Sequence, residues 1–381
     1  MDKRRKKLYF GDKCGVVDIE QRIKELEEEI KRTQYNKATE KHILRLKARI
    51  AYLRKELEER KKKQRAQTKK GVKKSGDAMV SLIGPPSVGK SMLFNLLTNA
   101  KSEVGDYAFT TLEVHPGILK YRGAEIQILD MPGLIEGASY GRGNGREILS
   151  IARNSDLIML MVDIFTVEYL ETVMRELHNF GIRINQKPPQ ITVKKKDRGG
   201  INIASTIPLS MDREDIAAIL REFGYINADV LIKEDINPER LMDFLSGNRA
   251  YVPALLLVNK IDLADEKLIK EINEKLEKWK PLFISAKNGH GIEKLKERIF
   301  QESGLIRIYL KPQSGKVDYD APLILKREST IEDVCNALHR DFVRKFRYAM
   351  VWGRSVKFPG QHVGLDHKLE DEDVVRLVIR R

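Results

Sequence analysis

The sequence predicts an α/β protein with a mixed sheet, preceded by a helical arm and followed by a smaller strand-rich domain. Three features carry this reading. From Met79 onward, short apolar runs alternate with glycine-bearing turns and helix-length segments, the rhythm of strands buried between helices. Two of these runs are joined only by Arg122, Gly123, Ala124 and Glu125. That link is too short for a parallel crossover, so the pair must be an antiparallel hairpin. After Ser303 the rhythm changes to strand-length runs around a single helix.

In chain order, Ile19, Ile23, Leu26 and Ile30 recur at steps of four, three and four, and Ile43, Leu46, Ile50, Leu53 and Leu57 at three, four, three and four. Each set is an a/d stripe on a helix. Between them Asn36 or Thr39 can cap the second helix, and an antiparallel hairpin follows, packed on itself, on the body or on a partner. Residues 61–77 have no apolar period and read as a basic tether. Strands are expected at Met79–Ile83, Gly117–Tyr121, Ile126–Leu129, Leu157–Val162, Ala254–Val258 and Leu282–Ile284, with helices after all but the second. About 90 residues separate Asp163 from Tyr251, far more than a strand-to-helix connection uses. We therefore expect an inserted domain with helices at Val167–Phe180, Asp212–Phe223 and Pro238–Leu245 around a strand pair, Ile191–Val193 and Ile201–Ile203. The last segment predicts strands at Ile306–Leu310, Leu323–Leu325, Tyr348–Trp352 and Val374–Ile379, with a helix over Thr330–Leu338. The expected divisions are an arm and tether (1–77), a sheet domain in two parts (78–164 and 251–303), an insertion (165–250) and a terminal domain (304–381).

Composition narrows the function. Of 381 residues, 41% are hydrophobic and 33% charged, which excludes a membrane protein and a disordered chain. The longest apolar runs, Leu157–Val162 and Val252–Val258, fall far short of the ~20 residues of a membrane helix. The basic N-terminus lacks the apolar stretch of a signal peptide, and a cytoplasmic location is expected, with no membrane partner. Cys14 and Cys335 are too few for a disulfide framework or a thiolate zinc site. Residues 1–77 carry 26 Lys and Arg against 13 Asp and Glu, whereas the other 304 residues carry 44 against 42. The basic excess sits in the arm, where it attracts a polyanion such as RNA or presents a solvated face.

Gly84-Pro85-Pro86-Ser87-Val88-Gly89-Lys90-Ser91 fits G-x-x-x-x-G-K-[ST], follows a strand and opens a helix. The backbone N–H groups of such a loop wrap phosphates at a helix N-terminus. Lys90 is expected to reach the β and γ phosphates, and the Ser91 hydroxyl to ligate Mg²⁺. Asp130-Met131-Pro132-Gly133 follows the third strand, with Asp130 placed for the Mg²⁺ shell and the Gly133 N–H for a γ-phosphate. Thr111 is our choice to complete that shell, with Thr110 the alternative. Asn259-Lys260-Ile261-Asp262 ends the fifth strand. A carboxylate at Asp262 accepts from guanine N1–H and the exocyclic amine, donors that adenine lacks, so GTP and GDP are preferred over adenine nucleotides. Asn259 ties this loop to the phosphate loop, the Lys260 stem covers the base, and Ser285-Ala286-Lys287 supplies an N–H for guanine O6. Leu134, just after D-x-x-G, cannot orient an attacking water. Catalysis then rests on charge stabilisation by Lys90, Thr111 with its Mg²⁺, and Gly133, and intrinsic hydrolysis should be slow. Glycines at 133, 137, 141, 143 and 145 with Arg142 and Arg146 suggest a segment ordered by γ-phosphate.

These residues resemble the Obg and developmentally regulated GTP-binding protein (DRG) group over the whole chain. GPPSVGKS, DYAFTTLEVHPG, DMPGLIEGASYGRGNGRE, NKID and SAK match its pattern, and the terminal domain resembles the TGS module, a ubiquitin-like β-grasp. The basic helical N-terminus and the insertion before NKID resemble those of DRG proteins. The implied architecture is an α/β P-loop GTPase with a mixed sheet, an N-terminal helical hairpin, an inserted α+β domain like the second domain of ribosomal protein S5, and a C-terminal β-grasp. The resemblance also implies a translation-linked GTPase that contacts ribosomes or RNA and is stabilised by a DRG family regulatory protein. Some relatives hold a catalytic potassium ion with a phosphate-loop asparagine. Ser87 stands in that place here, so K⁺ does not carry over directly.

A rival reading is a nucleotide-gated RNA-binding adaptor in which turnover is incidental. Asp262 disfavours a third, an ATP-dependent enzyme. Lys194-Lys195-Lys196 with Arg198 reads as a solvated turn before it reads as an RNA contact. His362 and His367 lack companions at metal spacing. Phe342, Phe346, Tyr348 and Trp352 are expected to pack in a core rather than stack on bases.

Overall fold

The computed structural model describes residues 3–37, 39–65, 74–98, 114–131, 145–312 and 316–380, with side chains omitted for 3–17, 61–65, 146 and 340. The chain divides into two compact units, Met1–Gly71 with Lys187–Tyr251, and Val72–Gln186 with Val252–Arg381.

The second unit holds the mixed sheet. β1 (Ala78–Ile83) and β4 (Leu157–Asp163) are buried along their whole lengths, as continuous apolar runs must be when both sheet faces are covered. β3 (Ala124–Asp130) is parallel to β1, β4 to β1, β10 (Ala254–Asn259) to β4, and β11 (Leu282–Phe283) to β10. β2 (His115–Tyr121) closes the edge antiparallel to β3, giving the order β11-β10-β4-β1-β3-β2. Its turn is only Arg122 and Gly123, at φ 51° and 82°, the left-handed pair that matches hairpin twist. α3 (Lys90–Thr98), α4 (Gly145–Asn154), α5 (Tyr169–Asn179), α8 (Glu266–Lys275) and α9 (Ile292–Glu302) follow the strands as expected.

The same unit carries a five-stranded sheet in the order β13-β12-β16-β14-β15. β12 (Leu305–Leu310) runs parallel to β16 (Asp373–Ile379) and antiparallel to β13 (Leu323–Lys326). β14 (Phe346–Trp352) pairs antiparallel with β16 and with β15 (Gln361–Val363). α10 (Ile331–Leu338) buries Ile331, Val334 and Cys335 against it. A reciprocal cap between Thr330 and Asp333 starts that helix. The sequence predicts one helix and four strands here. The structure adds α11 (Arg340–Lys345) and β15, each too short to show a period. Phe342 and Phe346 pack on this core. Tyr348 instead stacks on His362 at 4.3 Å and Lys311 lies 4.4 Å over the Trp352 ring, so those two aromatics depart from the expected core packing.

In the first unit, α1 (Lys3–Arg32) and α2 (Glu40–Arg65) form the expected hairpin. Ile19, Ile23 and Leu26 meet Leu46, Ile50, Leu53 and Leu57. Asn36 and Thr39 share the capping: each side-chain oxygen accepts the other's backbone N–H, at 2.9 and 3.0 Å. A second stripe on α2, Leu44, Ala48 and the half-buried Ala51 and Tyr52, joins the core of the inserted segment. There α6 (Arg213–Glu222) and α7 (Pro238–Ser246) cover a sheet ordered β6-β8-β7. β6 (Ile191–Lys195) and β7 (Ile201–Ser205) do not pair with one another. β8 (Ala228–Ile232), which our reading missed, lies between them. The insertion also begins later than expected. The helix placed in it, α5, buries Leu170, Val173 and Leu177 in the unit of the main sheet, and the chain enters the other unit at Lys187. The short strands β5 (Ile182–Ile184) and β9 (Ala250–Val252) mark the two points of passage.

Candidate functional site

Because β1, β3, β4, β10 and β11 are parallel, their carboxyl ends share one edge. The register sets Leu82 beside Asp130 and Asn259 beside Asp163. A crevice outside such an edge is where open α/β sheets bind ligands.

The loop Gly84–Ser91 leaves β1 and enters α3. A Cβ on Gly84 would stand 2.1 Å from the Met161 carbonyl oxygen, and one on Gly89, at φ 98°, 2.6 Å from Asn259 Nδ2. Neither position tolerates a side chain, which is the physical content of the two glycines in the motif. Pro85 and Val88 are buried, whereas Pro86 and Ser87 face outward, Ser87 at φ 63°. Lys90 is 8% exposed, and its Nζ donates to the carbonyls of Gly84 at 3.1 Å and Pro85 at 2.8 Å. Burial lowers its pKa, and the Asp130 charge partly opposes that shift.

Asp130 ends β3, buried, with Met131 buried behind it. Its Oδ2 accepts the Ser91 hydroxyl at 2.8 Å, while Oδ1 has no hydrogen-bond partner among the described residues. A buried carboxylate oxygen beside a serine hydroxyl is a donor set that suits a hard cation such as Mg²⁺. Thr111, Thr110, Pro132, Gly133, Leu134, Arg142 and the glycines at 137, 141 and 143 lie outside the described residues.

Asn259 joins three segments. Its Nδ2 donates to the Val88 carbonyl at 2.8 Å, and its Oδ1 accepts the Ala286 N–H at 2.9 Å. Lys260, at φ 64°, sends Nζ to the Ser87 carbonyl at 2.9 Å and to Asp163 Oδ2 at 2.5 Å. Ile261 and Asp262 lie in a 3₁₀ turn. Asp262 accepts the hydroxyl of buried Ser285 at 2.6 Å. That bond is the main cause holding the Asp262 carboxyl below its ordinary pKa. Asp262 and Lys287 are exposed. A base stacked against the loop must itself exclude the water.

Sequence reasoning missed Asp163. It is 2% exposed, and its Oδ1 accepts from Phe165 N at 3.0 Å and Thr166 Oγ1 at 2.8 Å. Burial pushes its pKa up, but the bonds from Lys260, Thr166 and Phe165 outweigh burial and leave it lowered. The one available signal was a carboxylate ending an otherwise unbroken apolar strand.

The comparisons agree along the chain. A profile described as "50S ribosome-binding GTPase" matches residues 79–196, one described as the C-terminal region of that domain matches 198–305, and a TGS domain profile matches 306–379. A GTP-binding protein of Methanocaldococcus jannaschii is 55% identical over 96% of this chain and 94% of its own length. Developmentally-regulated G-protein 3 of Arabidopsis thaliana is 44% identical over 94% of this chain and 98% of its own. Developmentally-regulated GTP-binding protein 1 of Xenopus laevis is 43% identical over the same shares, 94% and 98%. With a phosphate loop, a TGS domain and relatives of this identity over nearly its full length, the chain belongs to the developmentally regulated GTP-binding protein family.

Proposed function

We propose that the chain is a Mg²⁺-dependent GTPase whose nucleotide state sets its contact with the ribosome or RNA. The observation that carries the nucleotide half is Asn259, which holds Val88 of the phosphate loop and Ala286 of the SAK turn through a single side chain. A triphosphate on residues 84–91 and a base on Asp262 then belong to the same molecule.

In this reading the backbone N–H groups of residues 84–91 and the N-terminus of α3 receive the α and β phosphates. Lys90 leaves the Gly84 and Pro85 carbonyls for phosphate oxygens, and its burial strengthens its attraction to them. Ser91 and Asp130, with Thr111, would hold Mg²⁺, which when bound neutralises charge on the β and γ oxygens. Asp262, aligned by Ser285, accepts from guanine. Leu134 offers no hydrogen bond to a nucleophilic water, so unassisted turnover is slow and a partner or rearranged segment completes the site.

The ribosome half draws on the basic excess of residues 1–77 and on the match of residues 79–196 to the ribosome-binding GTPase profile. A cytoplasmic location and a DRG family regulatory protein as partner accompany it. Among the described residues no helix is long and apolar enough to cross a membrane. Sedimentation with ribosomes in GDP and in a non-hydrolysable GTP analogue, across a salt series, tests this half. Nucleotide-dependent, salt-sensitive co-sedimentation is expected, and equal recovery under all conditions refutes it. Single-turnover hydrolysis that ribosomes leave unchanged would favour the adaptor reading.

A further inference from the structure

We infer that Asp163 is a positioning residue for the guanine nucleotide, acting through Lys260; this rests on the nucleotide reading above. The two oxygens of its carboxylate have different partners. Oδ1 is used locally, accepting from Phe165 N and from the Thr166 hydroxyl, while Thr166 Oγ1 accepts the Asp163 N–H at 3.0 Å. Oδ2 is left for Lys260, whose ammonium bridges it to the Ser87 carbonyl.

A lysine stem carries several rotatable bonds and a large rotamer entropy. Here both the head and the backbone are anchored. Lys260 is one residue from Asn259, which lies beside Asp163 in register, and Ile164 N donates to the Asn259 carbonyl at 3.3 Å. The ammonium is held between the end of β4 and the phosphate loop, so the stem is already tethered at both ends when a base arrives. Ordering it beforehand removes a cost from binding. Asp163 is buried, so without Lys260 its charge would stand desolvated with no counter-charge. A carboxylate needed only to shape the 163–166 turn would require neither that charge nor its second oxygen.

The experiment is a double-mutant cycle read by the release rate of N-methylanthraniloyl-GDP from the full-length protein. Asp163→Asn keeps an oxygen for Phe165 and Thr166 while removing the charge, and Asp163→Ala removes both. Each should speed release about ten- to hundredfold, the loss of one charge-assisted hydrogen bond. Lys260→Ala should do the same, and adding either Asp163 change to it should speed release no further. Should Asp163→Ala compromise folding, Asp163→Asn completes the cycle. Unchanged release in Asp163→Asn, or effects that multiply in the double variant, overturns the inference. Failure of the wild-type protein to bind the probe overturns the nucleotide reading, and this inference with it.

Discussion

The Asn259 carboxamide reaches the carbonyl oxygen of Val88 at 2.8 Å, from a residue 3% exposed to one fully buried. Its other end receives the Ala286 N–H. Replacing Asn259 with alanine leaves a buried acceptor and a buried donor unpaired. Each costs about 1–3 kcal/mol. We expect a lower melting temperature for the nucleotide-free protein and weaker GDP binding by calorimetry. Wild-type values for both would break the link between the phosphate loop and the base loop.

Base choice is expected to follow the charge at position 262. Asp262→Asn presents a donor where guanine also donates, so preference should move from guanosine to xanthosine nucleotides. Ser285→Ala removes the hydroxyl that aligns the carboxylate and should weaken GDP several-fold without that exchange of base. Competition binding with GDP and XDP measures both. Unaltered guanine preference in Asp262→Asn would remove the carboxylate from base recognition.

Lys90 has a pKa lowered mainly by burial. Between that lowered value and the ordinary lysine value, the unfolded chain binds more protons than the folded one, so stability of the nucleotide-free protein rises with pH across that interval. Lys90→Met should remove this rise and abolish measurable GDP binding, while the nucleotide-free fold persists because an apolar side chain of similar length replaces the buried ammonium. Melting curves with and without GDP over the alkaline range test it. A matching pH slope in the variant would assign the effect to another group.

Asp156 joins the two sheets of the second unit. It accepts from Met79 N at 2.8 Å, Lys326 Nζ at 2.9 Å and Lys74 Nζ at 3.1 Å. Burial pushes its pKa up, but Lys74, Lys326 and Met79 together hold it below the ordinary value. A depressed carboxyl stabilises the fold above the ordinary carboxylate range and ceases to do so as pH falls through that range toward the depressed value. Asp156→Asn keeps the acceptor for Met79 but loses the charge. We expect a lower melting temperature near neutral pH and less acid sensitivity than in the wild type. A wild-type acid limb in the variant would contradict this.

Periodicity and motif spacing made the main sheet legible because its strands are buried on both faces and read as unbroken apolar runs. The phosphate loop and the NKID and SAK turns were legible because each follows such a run. β8 was not: its core-facing Ala228, Val230 and Ile232 alternate with Asp229 and Leu231, a short pattern that a scan for continuous runs passes over. α5 was assigned to the insertion because sequence shows where a helix lies but not which sheet its apolar face covers. Asp163 was invisible for a related reason. A carboxylate acquires a role only when register sets it beside Asn259, and nothing local in the sequence announces that neighbour. The exposure of Asp262 likewise depends on what surrounds the turn.

Ala48 gives the last test, since it lies where α2 turns a second face to the inserted segment. Leu44 and Ala48 share a core with Ile216, Ile219, Leu220 and Phe223, and Ala48 is fully buried. Tyr52 meets Phe223 edge-on at 6.0 Å, and Lys55 Nζ donates to the Leu245 carbonyl at 3.1 Å. Leu46, Ile50 and Leu53 on the opposite stripe serve α1 instead. A leucine at position 48 has no room on the α6 side, and overpacking of this kind costs about 1–3 kcal/mol. Ala48→Leu should therefore weaken the first unit, speeding hydrogen exchange in α2 and α6 alike, while exchange in α1 near Ile19 and Ile23 changes less. Because the phosphate loop and Asp262 belong to the other unit, GDP affinity should stay at the wild-type value. Slowed or unaltered exchange in α6 would mean that the α2 face does not hold the inserted helices in solution.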